Sequence, residues 1–531
     1  MRLIILCFLC FLFSFCSDKK NLDHLSIFKY NESAGINSLD PAFAKDQASV
    51  WATSQIFNGL VQLDSNLNVT PSVSKYWSLS SDFLVYEFLL RNDVVFHDHN
   101  LFKNNKGRLV TAYDFEYSFF RLLDNDIASP GRWVLSNVSD FYAKNDSTFI
   151  IKLKKPFPAF LGLLSMQYCS VVPKEVVENT DFNIDPIGTG PFKFQIWKKN
   201  EKLILRKNFN YFETLNNKKL PFLDAVSITF LRDKQAGFLQ FIMGNTDFLS
   251  GIDASYKDEL LTKKGLLNPK YKDIINLNIK NYLNTEYLGF LFDDSLSHIQ
   301  HLKVRRAINY GFDRKKMLKY LRNNIGTAAN AGFIPKGMPS FNSKVIGFNY
   351  NPVLAGNLIN EIKRELNIDR IEVKLSTTSS YLDLCEYIQN ELSIIGIDIL
   401  IDVNPPASHR QMVATSKLSF FRGSWIADYP DAENYLSLFY SKNFSPNGPN
   451  YTHFTNSEFD NLYENSLFQI NDSIRFALYN KMDKIILDNA AIVPLYYDEV
   501  LRFTQKNIFG MSNNPANMLS LKYVNKVLVN H

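Results

Sequence analysis

"RGSWIADYPDAENYLSLFYS", Arg422 to Ser441, is the stretch on which the reading of this chain turns. It has neither the 3.6-residue apolar rhythm of a helix nor the strict alternation of a strand. Asp428 stands just after a tryptophan and small apolar residues, and Tyr429 and Pro430 follow it. Two readings of Asp428 are open. It caps a helix that starts near Pro430, or it is a carboxylate held ready for a ligand.

The surrounding chain sets the frame. At 531 residues, and roughly 150 residues per domain, about three structural units are expected. The composition is 46% hydrophobic, 14% aromatic and 21% charged, which is that of a globular protein and excludes general disorder. Fifty-eight Lys and Arg against 53 Asp and Glu leave a net charge of +5. Basic residues gather only in short runs such as Lys19–Lys20, too thin for a nucleic-acid footprint.

Arg2 precedes an apolar run from Leu3 to Phe15 that stops at "CSDKKN", the form of a signal peptide over residues 1–16. A run of that length falls short of the roughly 20 residues that cross a bilayer. Cys16 resembles the lipid-modified cysteine of a bacterial lipoprotein, with Ser14 two residues before it. Phe15 stands where such sites usually carry a small residue, so cleavage by ordinary signal peptidase is the alternative. No other window offers an apolar run of membrane-spanning length, and the remainder is expected to be soluble. Cys169 and Cys385 are the other cysteines outside the signal; they define no metal spacing, and a bridge between them is left open.

Along the chain, "LSIFKY" alternates as a first strand. Asp46 is placed to cap a helix with Val50, Thr53, Ser54 and Phe57 on one face, and Gly59 is expected as its left-handed C-terminal cap. "FLVYEFLLRNDVVFHD" reads as two strands with a turn at Asn92 and Asp93. Thr111 and Asp114 form a capping box ahead of Phe115, Ser118, Phe119 and Leu122. Gly188 and Gly190 make a turn before two strands. "GTGP" lacks the Lys-Ser/Thr ending of a phosphate loop, so the turn is read as structural. Val304, Ala307, Ile308, Gly311 and Phe312 lie on one helical face, and Asp313 caps a second helix. No repeat, low-complexity tract or long linker appears, which predicts interleaved lobes.

Catalytic signatures fail. There is no G-x-S-x-G elbow and no H-E-x-x-H. "HDH" at His97–His99 and "HIQH" at His298–His301 cluster, yet without a further ligand they read as loop histidines; no metal or cofactor is expected.

The succession "SLDPAFA", "IFNGLVQLD", "YEFLLRNDVVFHD", "VTAYDFEYSFFRLL", "IGTGPFKF", "RKNFNYF", "VRRAINYGFDRKKM" and "WIADYPDAENYLSLFY" resembles the family 5 solute-binding proteins of ABC importers, the oligopeptide, dipeptide and nickel-binding group, over nearly the whole chain. It departs at His97–His99, where the family usually has His-Asp-Gly, and in the insertion "NLFKNNKGR". The resemblance implies an α/β, periplasmic binding protein-like class II fold with a hinge-closing cleft. Residues 17–66, 188–282 and 501–531 would form lobe I, 67–187 a middle domain and 283–500 lobe II.

The function implied is an exported, lipid-anchored receptor, no enzyme and a monomer, that captures peptides and delivers them to the permease subunits of an ABC importer. It would face the periplasm or the extracellular side. A nickel chelate or haem in the same fold is the alternative, and a secreted hydrolase the rival in class. By the same resemblance Asp428 would receive the peptide's N-terminal ammonium, with Trp425 and Tyr429 walling the site. Arg422, six residues before, would face a short ligand's carboxylate unless it is simply a strand-edge surface arginine.

Overall fold

The computed structural model describes residues 24–253, 255–293 and 297–528. Cys16 and the signal sequence lie outside them. Among the described residues no helix is long and apolar enough to cross a membrane.

One mixed sheet runs through the molecule. Its order is Ile397–Val403, Ile371–Thr377, Phe420–Ile426, Ile275–Phe290, Ile492–Gln505, Phe248–Ser250, Ile27–Asn31, Ala225–Thr229, Lys202–Lys207 and Phe192–Lys198. The outer parts contain parallel pairs, Ile371–Thr377 with Ile397–Val403 and Ile27–Asn31 with Ala225–Thr229. The two longest strands, Ile275–Phe290 and Ile492–Gln505, pair antiparallel at the centre. Their near ends place Ile275, Leu501 and Phe503 in one apolar core, and their far ends place Leu288, Phe290, Val493 and Leu495 in another. Between these ends the register shifts twice, after Asn281 and after Glu286. Such irregularities bend a strand pair and increase its twist.

A separate four-stranded sheet, ordered Ser74–Leu79, Val85–Leu90, Thr148–Leu153 and Val138–Asn145, packs against the helix Ala112–Leu123. That helix carries the expected capping box of Thr111 and Asp114, and Phe115, Ser118, Phe119 and Leu122 are its buried stripe. The expected hairpin at Asn92 and Asp93 is corrected. Val85–Leu90 pairs with Ser74–Leu79 and Thr148–Leu153, and the chain after it makes only an isolated bridge between Val95 and Leu109. Arg91 folds back on Asp93 at 2.7 Å, which closes a local loop there.

Asp46 caps the helix Gln47–Ile56 through the Ser49 N–H at 2.9 Å. The predicted face is borne out in part: Thr53 and Phe57 are buried, whereas Val50 and Ser54 are half-buried, and Trp51, Ala52, Gln55 and Ile56 are enclosed as well. The reason is tertiary. The segment after residue 510 lies over the helix, taking the Trp51 indole N–H on Asn517 O at 2.8 Å and the Gln55 amide on Leu519 O at 2.7 Å.

Gly59 bridges Ser170 and is not a left-handed cap; Phe57 ends the helix in extended geometry. Gly188 and Gly190 are needed for close approach, because a Cβ on either would come within 2.1 or 2.4 Å of the Ile56 peptide. The helices Leu302–Tyr310 and Arg314–Leu321 form as expected, with Asp313 accepting from Lys315 N and Lys316 N.

Candidate functional site

The strand Phe420–Ile426 pairs with Ile275–Phe290, and Ala427 N donates to Leu283 O at 2.9 Å, which extends the attachment by one residue. The chain then turns through Asp428–Ala432 into the short helix Glu433–Leu436. Asp428 does not cap it. Asp431 Oδ1 accepts from Glu433 N at 2.9 Å instead, because the helix begins three residues later than Pro430 suggests.

Asn434 reaches back from that helix to organise the turn. Its Oδ1 accepts from Trp425 Nε1 at 2.9 Å and from Asp428 N at 3.2 Å, while its Nδ2 donates to Asp428 Oδ2 at 3.3 Å. Tyr435 fixes the other side by donating to Leu283 O at 2.6 Å. Beneath them the buried Glu433 accepts from the hydroxyls of Tyr429 and Tyr463, and Asp431 is held by Arg475 at 3.2 Å and Tyr479 at 2.7 Å. Burial raises the Glu433 carboxyl, and the two tyrosine hydrogen bonds oppose the rise.

Asp428 is exposed at its surface, yet protein surrounds its carboxyl. Desolvation by the protein around it raises its carboxyl above the ordinary value, opposed by the Asn434 hydrogen bond. Solvent screens an exposed charge, so the shift measures the setting and not an energy. Among the described residues no cation pairs with it. The opposite wall comes from residues 131–168. The Tyr168 phenol is pushed up to about 12 by burial first and then by the charges of Asp428 and Asp46. Gly131 makes room for that ring, since a Cβ there would lie 2.4 Å from it. Tyr429 meets the same wall, edge-on to Phe157 at 6.4 Å. A Cβ on Gly162 would lie 3.5 Å from Pro430 Cδ and Tyr429 Cβ. Asp428 thus sits where the chain passes between two apolar cores, with Trp425 and Ala427 against one and Tyr429 in the other.

Arg422 is not a surface arginine. It is paired with Glu286, and its guanidinium lies 3.2 Å over the Tyr381 ring. Asn434, Tyr168 and Glu286 are site residues that the sequence reading missed. Glu286 had a signal, a lone acid in the apolar strand "YLNTEYLGFLF", since a buried charge requires a partner. Asn434 and Tyr168 had none, because no local period connects them to Asp428.

A cavity of about 450 Å³ lies elsewhere, lined by Ser54, Asn58, Gln62, Ser72, Tyr211 and Lys522 among others. Lys522 on its wall is already paired with Glu213 at 2.5 Å, and the Asp64 carboxylate is held by the backbone N–H groups of Asn66 and Asn68 and the Asn68 amide, so the cavity offers no free cation and its carboxylate is satisfied locally. The uncompensated carboxylate at Asp428 is therefore the stronger ligand signal. Among the described residues no group of three His, Cys, Asp or Glu side chains is placed to hold a metal, and His298 Nδ1 is engaged with Glu372 O at 3.1 Å. Cys169 and Cys385 are free and buried in different cores, and burial pushes their thiols up to about 12 and about 11.

Comparison with known proteins places this architecture. The family model "Bacterial extracellular solute-binding proteins, family 5 Middle" matches residues 68–447. The dipeptide-binding protein DppE of Bacillus subtilis is 23% identical over 96% of this chain and 93% of its own length. Heme-binding protein A of Haemophilus influenzae is 25% identical over 88% of this chain and 86% of its own. The solved structure of the periplasmic binding protein DppA from Helicobacter pylori, in complex with the peptide STSA, superimposes with a TM-score of 0.77 at 24% identity. That match covers 94% of this chain and 98% of the other.

Proposed function

The chain belongs to the bacterial extracellular solute-binding proteins of family 5, and from that premise we propose that it captures peptides outside the cytoplasm and hands them to the permease subunits of an ABC importer. The observation that carries the reading is Asp428: a carboxylate raised by the protein around it, held by Asn434, with no cation among the described residues to neutralise it. Every peptide with a free N-terminus carries an ammonium, so one fixed carboxylate gives affinity whatever the side chains are. Peptide-binding proteins are among its relatives, and a haem-binding one is too.

In this reading residues 283–500 close over the ligand against 17–66, 188–282 and 501–531, with 67–187 as the middle domain. Trp425 and Tyr429 hold the turn that presents Asp428. Closure is favoured by the ligand's extra contacts in the closed state. The protein binds and delivers as a monomer, without bond making, and Cys16 carries the lipid that anchors it to the membrane.

Calorimetry with the purified protein tests the ammonium site. Removing one member of a desolvated charge pair costs on the order of 2 kcal/mol or more, so Asp428→Asn lowers peptide affinity by roughly 30-fold, and N-acetylation of the peptide does the same to the wild type. Undiminished affinity in both cases would overturn the assignment. Native mass spectrometry of co-purified ligand separates peptide from haem. Labelling with a clickable fatty acid that survives Cys16→Ala would overturn the anchor.

A further inference from the structure

Arg422 lies within the strand Phe420–Ile426 and Asp428 two residues past its end, so a ligand that starts at Asp428 and follows the strand arrives at Arg422. What it meets there is a closed chain of charges. Glu286 pairs with Tyr496 on one side and Ser424 on the other in the sheet register, and Leu288 lies opposite Arg422. Alternation along the strands puts Glu286, Tyr496, Ser424 and Arg422 on one face. The Arg422 guanidinium and the Glu286 carboxylate form an ion pair whose side chains are 11% and 4% exposed. Asn284 Nδ2 donates to the second oxygen of Glu286 at 3.1 Å and reaches Asp498 Oδ2 at 3.5 Å. Asp498 Oδ1 accepts from Arg322 at 2.9 Å, and Arg322 lies 4.5 Å over the Tyr496 ring.

Two guanidiniums and two carboxylates cancel, so this cluster has no net charge. Three of its polar atoms are left unmatched. Arg422 Nε–H, Arg322 Nε–H and Asn284 Oδ1 are buried without a hydrogen-bond partner. Two N–H donors and one carbonyl acceptor match an amide, which supplies one acceptor and one donor per peptide unit. A terminal carboxylate would instead come beside Glu286, and two carboxylates at one cation disfavour each other. From this we infer that Glu286 sets the ligand specificity at Arg422: by neutralising Arg422 it lets an uncharged, amide-bearing chain lie there and removes the preference for a free carboxylate terminus that an unpaired arginine would impose. The inference rests on the peptide reading above and deepens it.

The test uses the full-length mature protein, its Glu286→Gln variant and the double variant Glu286→Gln/Arg422→Gln, titrated with alanine peptides of increasing length, each as free acid and as C-terminal amide. The wild type binds acid and amide alike, within about twofold, at every length. Glu286→Gln frees Arg422 and favours the acid by about tenfold at the length whose end reaches it, and the double variant abolishes that preference. A wild type that favours the acid by about tenfold overturns the inference even where a variant fails to fold, as does a folded Glu286→Gln with an unchanged ratio. N-acetylated peptides run alongside. If acetylation still abolishes binding while the acid is favoured by the wild type, only this inference falls; if no alanine peptide binds the wild type in any form, the peptide reading falls and takes the inference with it.

Discussion

Asn434 and Asp428 are joined twice, side chain to side chain at 3.3 Å and side chain to backbone N–H at 3.2 Å, and the same Asn434 oxygen also takes the Trp425 indole. The carboxylate, the tryptophan and the turn between them therefore move as one unit.

Asn434→Ala strips that unit of its common partner. Leaving the Trp425 and Asp428 N–H donors unmatched costs about 1–3 kcal/mol in folding stability, and the loosened carboxylate binds peptide about tenfold more weakly. Urea unfolding and calorimetry on the same preparation check both effects. A variant with wild-type values in both would show that Asn434 organises nothing.

Asp40 and Arg121 form a buried ion pair at 2.6 Å, with side chains 3% and 9% exposed, and Asp40 also takes the Ala42 N–H. Asp40→Ala leaves the guanidinium without its anion and is expected to cost about 3–5 kcal/mol. Asp40→Leu/Arg121→Met, which removes both charges, is expected to cost markedly less. Thermal melts of the single and double variants decide between a charge effect and simple loss of packing.

Gly332 is held at φ +111°, and a Cβ there would lie 2.0 Å from Asp483 Oδ2. Gly332→Ala combines a disfavoured backbone with a clash against an anchored group, because Asp483 Oδ1 accepts from Phe333 N at 2.7 Å. A loss of more than about 2 kcal/mol is expected in urea unfolding. A melt within the error of the wild type would mean that the loop relocates freely.

Asp483 itself makes stability depend on pH. Burial raises its carboxyl from 3.8 to about 7, against the pull of two backbone hydrogen bonds. The unfolded chain ionises this group near its ordinary value, so its contribution is fully present below about pH 4. It declines as pH rises toward 7, at most by about 1.4 kcal/mol per pH unit, and is flat above. Asp483→Asn removes that slope. Denaturation midpoints measured from pH 4 to 8 on both proteins give the difference curve, and parallel curves would exclude Asp483 as the source.

The elements that were legible in the sequence are those whose causes are local. Thr111 and Asp114 announce their helix because both halves of the capping box lie within one turn, and Asp313 and Asp46 do the same. Val85–Leu90 misled because its partners are the strand before it, Ser74–Leu79, and the distant Thr148–Leu153, and a tempting turn after it carries no information about either. The ordered succession of motifs disclosed the family, and with it the fold. At the site, Asp428 and Trp425 stood out by pattern. The pairing of Arg422 with Glu286 is a contact across 136 positions, beyond any spacing argument. Asn434 is close in sequence, yet a short helix that starts late brings it back onto the turn.

The central strand pair also dictates when the molecule can be finished. Ile275–Phe290 pairs with Phe420–Ile426 along one edge and with Ile492–Gln505 along the other, so a nascent chain holds that second edge of its longest strand unpaired until residues 492–505 have been made. Pairing across so large a sequence separation is slow to nucleate. The helix Gln47–Ile56 waits longer still, because residues 517 and 519 are its cover. This part of the fold therefore closes only when segments far apart in the chain have all been made.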